Sequence, residues 1–232
     1  MEDSGTCVTE ELSGTLASLY ALPDLLRVRT RASNLFGVGI GGSMAPPTEV
    51  DVLRRQSRKA WSWFEETVSD VLDDQVNWWP PGTANSIGAT YLHVVLNADV
   101  EMNRLMLHRT PLVEQWAGTV GQPLPYDPDR FDRWVRHGPV DWSLLRRYGK
   151  AVHAFVIDTV DAVTEAELEM PVDMTRAGLG MWEGRDLVEL HAVDHPLQHG
   201  AEIAVLKGLQ GGVGHIESDD FRTAVEVVEY DG

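Results

Sequence analysis

The sequence predicts an all-α protein: an antiparallel four-helix bundle with a long connection between its second and third helices. Two observations lead there. Four blocks carry apolar residues at helical spacing, and a proline-rich stretch separates the second block from the third. The bundle occupies residues 44–208. Residues 1–43 read as a disordered or loosely packed N-terminal extension, and residues 209–232 as a C-terminal tail.

The first block runs from about 49 to 76. Leu53, Trp61, Phe64, Val68 and Leu72 recur at three, four and eight residues, as one face of a helix requires. Trp78-Trp79-Pro80-Pro81-Gly82 stops it. The second block spans about 84–108, with Ser86 or Asn85 as its cap. Its apolar stripe is Ile87, Tyr91, Val94, Ala98, Met102 and Leu105, and beside it lies a polar line of His93, Asn97 and Glu101. Between 109 and about 140, Pro111, Pro123, Pro125, Pro128 and Pro139 exclude a continuous helix. Trp116 and Trp134 suggest that this connection packs back on the body.

The third helix spans about 141–164, with Leu145, Tyr148, Val152, Phe155, Thr159 and Val163 at helical spacing. A short helical turn follows at 164–168, then an irregular stretch to 184 with room for short extended pieces. The fourth helix spans about 185–208. Pro196 lies inside it, and a missing backbone donor predicts a kink or a locally wide turn there.

The N-terminal extension contains Gly37, Gly39 and Gly42 in G-x-G-x-x-G spacing. Pro46-Pro47 follows instead of the helix that a dinucleotide fingerprint needs, so the spacing carries no nucleotide reading. Met44 precedes the same prolines and is an alternative start of the protein.

Composition narrows the function. The chain has 232 residues, 43% apolar, with eight tryptophans, enough for a real core. Thirty-six acidic against 19 basic residues give a formal net charge of −17. That balance argues against nucleic acid and anionic membrane surfaces, which need clustered cations. No apolar run approaches membrane-helix length and the N-terminus opens acidic, so a cytoplasmic protein is expected. Cys7 is the one cysteine, which excludes an intramolecular disulfide and a thiolate-rich zinc site. Any metal must be held by His, Asp or Glu.

Two histidines meet that requirement most directly. His195 and His199, in Asp194-His195-Pro196-Leu197-Gln198-His199-Gly200, stand four residues apart, on one face of a helix. Such a pair can fill two cis positions of one ion. His93, from a facing helix, would complete a three-nitrogen site with coordination positions left open, as a catalytic metal requires. Asn97, Glu101, Asp194 and Glu202 are candidates to hold the second nitrogens of these rings. His191 lies four residues before His195, so it either replaces one of the pair or serves as an acid–base group beside the metal. A set of ordinary hydrogen-bonded histidines has the same spacing.

The block His195-Pro196-Leu197-Gln198-His199-Gly200-Ala201-Glu202-Ile203, with Ser86-Ile87 and the helix Tyr91–Met106, resembles the DinB-like superfamily. The resemblance covers about 50–208. It implies a four-helix bundle whose metal is bound by one histidine of the second helix and two of the fourth, here His93, His195 and His199. Gln198 stands where many relatives have a further histidine, and Gly200-Ala201-Glu202 replaces a common Arg-Gly-Gln.

The resemblance further implies a divalent ion, zinc or nickel first, with iron or copper also suited to three imidazoles. It implies activation of a low-molecular-weight thiol, such as mycothiol or bacillithiol, for transfer to a small electrophile or for isomerisation. His191 and Glu101 are the candidate catalytic residues, for handling protons. Trp61, Trp78, Trp79 and Trp116 are candidate pocket walls. A non-enzymatic metal-binding stress-response module and a metal-assisted hydrolase are the alternatives. A homodimer is expected, because Leu187, Leu190, Val193, Leu197 and Ala204 give the fourth helix a second apolar side that needs cover.

Overall fold

The computed structural model describes residues 46–116, 139–175 and 178–215. The N-terminal extension with Cys7 and its glycine motif, the middle of the long connection with Trp134, and the tail beyond 215 lie outside the described residues.

Four long helices build the body. The first, α1 (Glu49–Thr67), opens with a reciprocal cap: the Thr48 hydroxyl accepts from the Asp51 N–H, and the Asp51 carboxylate accepts from the Thr48 N–H. It stops at Thr67, not near residue 76 as the periodicity suggests. The reason is a contact from far along the chain: the Lys207 ammonium, buried at 2% exposure, donates to the Thr67 carbonyl and to the Asp70 carboxylate. A cation there satisfies a terminal carbonyl and suits the negative end of the helix dipole. The short α2 (Asp73–Val76) follows as a separate turn, with the Gln75 side chain accepting from the Leu72 N–H.

Ser86 caps α3 (Ile87–Glu101) by accepting from the Ala89 N–H. A wide turn, Met102–Met106, extends α3, closed by an i→i+5 bond from the Leu107 N–H to the Met102 carbonyl. After the single turn α4 (Val113–Trp116) comes α5 (Trp142–Ala162), capped by Asp141. The turn α6 (Glu165–Leu168) leads into an antiparallel hairpin of β1 (Pro171–Asp173) and β2 (Met181–Glu183), in which Val172 faces Trp182. The last long helix has three parts: α7 (Gly184–Glu189), a wide turn (Leu190–Asp194) and α8 (His195–Leu209).

Contacts fix the directions. Arg54, Trp61 and Glu65 of α1 meet Asp161, His153 and Arg146 of α5, so these two run antiparallel. Trp61, Trp63 and Thr67 meet His191, Gly200 and Lys207, so α1 and α8 run parallel. Tyr91 near the start of α3 packs on Trp142 near the start of α5, so α3 and α5 also run parallel. In chain order the four long helices therefore run up, down, down and up: antiparallel within each sequential pair, with α3 and α5 parallel. That arrangement explains the long connection, because the chain must travel the length of the bundle before α5 can start.

Both described ends of this crossover are pinned by one polar side chain. Asn77 exchanges two hydrogen bonds with the Val140 backbone, at 2.9 and 3.1 Å. Asp99, fully buried on α3, accepts from the Leu112 N–H (2.8 Å), the Val113 N–H (2.7 Å), the Tyr148 hydroxyl (2.7 Å) and the Asn103 amide (2.8 Å). Burial raises the Asp99 pKa above its ordinary value, while the four donors pull the other way. One glycine permits the close approach of α3 and α5: a Cβ at Gly149 would overlap the Tyr91 hydroxyl, which itself donates to Glu65 and accepts from Arg146.

The core is one cluster dominated by Trp61, Phe64, Tyr91, Leu92, Leu96, Met102, Leu145 and Tyr148. A second, smaller cluster joins Val172 and Met174 to Leu187. The hairpin thus covers Leu187, one of the fourth-helix residues expected to need a partner. Leu197, Val205 and Leu209 face outward, 40%, 62% and 64% exposed. No described helix is long and apolar enough to cross a membrane.

Asp99→Ala removes one acceptor and strands three or more buried donors, each costing roughly 1–3 kcal/mol. Urea unfolding should show a loss of more than about 3 kcal/mol. A change below about 1 kcal/mol would contradict the assignment of Asp99 as the pin of the crossover.

Candidate metal centre

His93, Asn97 and Glu101 stand four residues apart on α3, so they form one line along its surface. The fourth long helix runs antiparallel to α3 and presents His191, His195 and His199 to that line. His93 meets His195 and His199, with ring centroids 5.3 and 4.9 Å apart. His195 and His199 are 5.2 Å apart. One nitrogen from each of these three half-buried rings lies within 4.8 Å of the other two. Glu101, two turns further along α3, meets His191.

The wide turn keeps His191 in this row. In a regular α-helix, residues four apart drift by about 40° around the axis, so two such steps would carry His191 away from the His199 side. The turn Leu190–Asp194 holds more residues per turn and cancels that drift. Its cause is in the sequence. The His195 N–H bonds back five residues to the Leu190 carbonyl, and the next residue, Pro196, has no N–H to give to the His191 carbonyl. That freed carbonyl accepts from the Trp61 indole N–H at 3.2 Å.

Packing imidazoles against His195 keeps that ring uncharged. The His195 pKa is pushed down to about 2, first by burial and then by the neighbouring His191, His93 and His199. A neutral ring offers a lone pair to a metal, which is the form a ligand needs. Two of the three rings have a polar partner at Nδ1, of the kind that metal-binding imidazoles use. His199 Nδ1 lies 2.8 Å from Glu202 Oε2, and His93 Nδ1 lies 3.3 Å from the Asn97 amide. Half a turn of that amide presents its oxygen to an Nδ1–H on His93. His195 Nδ1 is buried and has no partner. Three ring nitrogens so gathered are a donor set that fits a divalent ion.

His191 is fully buried, and its Nε2 lies 2.8 Å from Glu101 Oε2. Glu101 retains 23% exposure. Of the four acceptors expected from the sequence, Asn97, Glu101 and Glu202 each touch an imidazole. Asp194 forms no such bond among the described residues. Of the four tryptophans, Trp61 flanks the site through the His191 carbonyl. Trp78 and Trp116 pack against the core, and Trp79 is 39% exposed. A cavity of about 600 Å3 lies elsewhere, between Met106, Leu112, Phe155 and Thr159, and no candidate ligand lines it.

One supporting group escaped the sequence reading. Trp63 sits against Gly200, the residue after His199, where a Cβ would overlap the indole ring. The Trp63 N–H donates to His215 Nε2 at 2.9 Å. The first residues after α8 thus fold back and hold α1 against the ligand-bearing turn. The signal was a glycine directly after a candidate ligand.

Comparison with known proteins agrees with this fold. The signature of the DinB superfamily matches residues 56–203, which include all three candidate ligands. The crystal structure of a conserved protein from Enterococcus faecalis is similar, with a TM-score of 0.58 at 17% identity, covering 71% of this chain and 98% of that one. At that identity the likeness speaks for the fold alone. No protein of curated function matches the chain. With a family signature spanning more than half its length and including His93, His195 and His199, the chain belongs to the DinB superfamily.

Proposed function

We propose that this protein holds a divalent ion on His93, His195 and His199 and uses it to activate a low-molecular-weight thiol for S-transfer or isomerisation. The observation that carries the metal reading is the convergence of three imidazole nitrogens within 4.8 Å, each ring half-buried. The thiol reading rests on the superfamily resemblance. When bound, the ion supplies positive charge that favours a thiolate over a thiol. The chain supplies the rest. Asn97 and Glu202 hold two rings in place, and the packing around His195 keeps that ring neutral.

Glu101 is the group suited to taking the thiol proton, because its carboxylate is partly exposed while His191, which anchors it, is fully buried. The transfer balances without an oxidant: the thiol loses its proton, a carbon–sulfur bond forms, and the leaving group departs with its bonding electrons.

Elemental analysis after metal loading should find one divalent ion per chain. His93→Ala, His195→Ala and His199→Ala should each weaken binding by more than the roughly 10–100-fold that loss of an outer-shell partner costs. Absence of a stoichiometric ion in the loaded wild-type protein would sink the metal reading.

Thiol consumption with mycothiol, bacillithiol, cysteine and glutathione against a panel of electrophiles tests the reaction. Turnover should require the metal and at least one of these thiols. A bound ion with no metal-dependent consumption of any of them identifies a binding module instead.

A further inference from the structure

We propose that His191 is the hydrogen-bond acceptor for His195, fixed in that role by Glu101, so that each of the three ligand imidazoles has its own outer partner. The inference rests on the three-histidine metal reading and concerns how this chain positions its ligands.

Two ligand rings are already served: His93 by Asn97 and His199 by Glu202. His195 is not, since its Nδ1 is buried without a partner. The Nδ1 of His191 is also buried without a partner. These two orphans belong to adjacent rings, 5.2 Å apart and nearly perpendicular at 78°. A buried polar atom without a partner is costly, and native interiors rarely keep one. Two on neighbouring rings cancel if one donates to the other.

Chemistry decides which donates. An ionised carboxylate only accepts, so the contact with Glu101 at 2.8 Å places the His191 proton on Nε2. In that tautomer the His191 Nδ1 presents a lone pair. His195, binding an ion through Nε2, carries its proton on Nδ1. Donor and acceptor then match, and a small rotation of the His195 ring on ligation joins them. His191 offers a fixed target for that rotation. It is fully buried, Glu101 holds its ring, and the Trp61 indole holds its carbonyl. His191 is therefore a positioning residue, acting through His195 and outside the cluster of nitrogens that meet at one point.

The test is a zinc competition titration on the full chain with two substitutions. His191→Asn keeps an amide oxygen near the position of Nδ1, whereas His191→Phe keeps the ring shape and removes the acceptor. Zinc affinity should fall about 10–100-fold in His191→Phe and less than about 10-fold in His191→Asn. Rescue by the amide is a pattern that loss of packing alone would not produce. Equal affinities in wild type and both variants, or equal losses in both, overturn the proposal.

Should the phenylalanine variant not fold, ring-nitrogen NMR of the zinc-loaded wild type decides. His191 protonated on Nε2 and His195 on Nδ1, with a slowly exchanging Nδ1 proton, is the expected result. His195 bound to zinc through Nδ1 overturns the proposal. A wild-type chain that takes up no zinc overturns the metal reading itself, and is distinct from zinc-binding variants of unchanged affinity, which overturn only the role of His191.

Discussion

His195 can share ring contact with three other imidazoles in a half-buried groove only if it stays uncharged. That constraint organises the site. Each of His93, His191, His195 and His199 lies within about ring contact of another, and protonating any one would place a charge beside its neighbours. The fold answers by burying His191, half-burying His195 and giving His93, His191 and His199 a polar partner each. The result is a set of ring nitrogens gathered at one point, a cluster that among the described residues includes no carboxylate to cancel a cation's charge. Such a site would leave a bound ion electron-poor, the property that lowers the pKa of a bound thiol or water.

The frame that supports this packing is held by contacts distant in sequence. Lys207 ends α1 and ties it to α8, and Trp63 presses on Gly200 from the same side. Trp61 takes the carbonyl that Pro196 leaves free. Helix α1 therefore forms the back wall of α8, which lets α8 present its histidines forward to α3. On the other side, Asp99 and Asn77 fasten the ends of the crossover that the parallel run of α3 and α5 demands.

Much of this was legible in the sequence where the cause is local. The helical blocks, the Ser86 cap, the wide turn at Pro196 and the line His93–Asn97–Glu101 all follow from spacing and from the chemistry of single residues. The ligand set came from the i,i+4 pair together with the family resemblance. What stayed hidden depends on partners far away. The early end of α1 needs Lys207, 140 residues on. The parallel run of α3 and α5 is invisible to periodicity, which reports faces and not directions. Asp99 occupies the apolar side of its helix, four residues after Val95, and that misplacement was a readable sign of a buried carboxylate. Its donors, however, lie 13 and 14 residues away in a stretch without periodicity.

The central claim is that three imidazoles, and no other side chains of this chain, hold the ion. X-ray absorption spectroscopy of the zinc-loaded full chain counts such ligands directly. The expected result is a nitrogen/oxygen coordination shell whose outer scattering corresponds to three imidazole rings, falling to two in His93→Ala. A sulfur shell, or an imidazole count unchanged by that substitution, would contradict it.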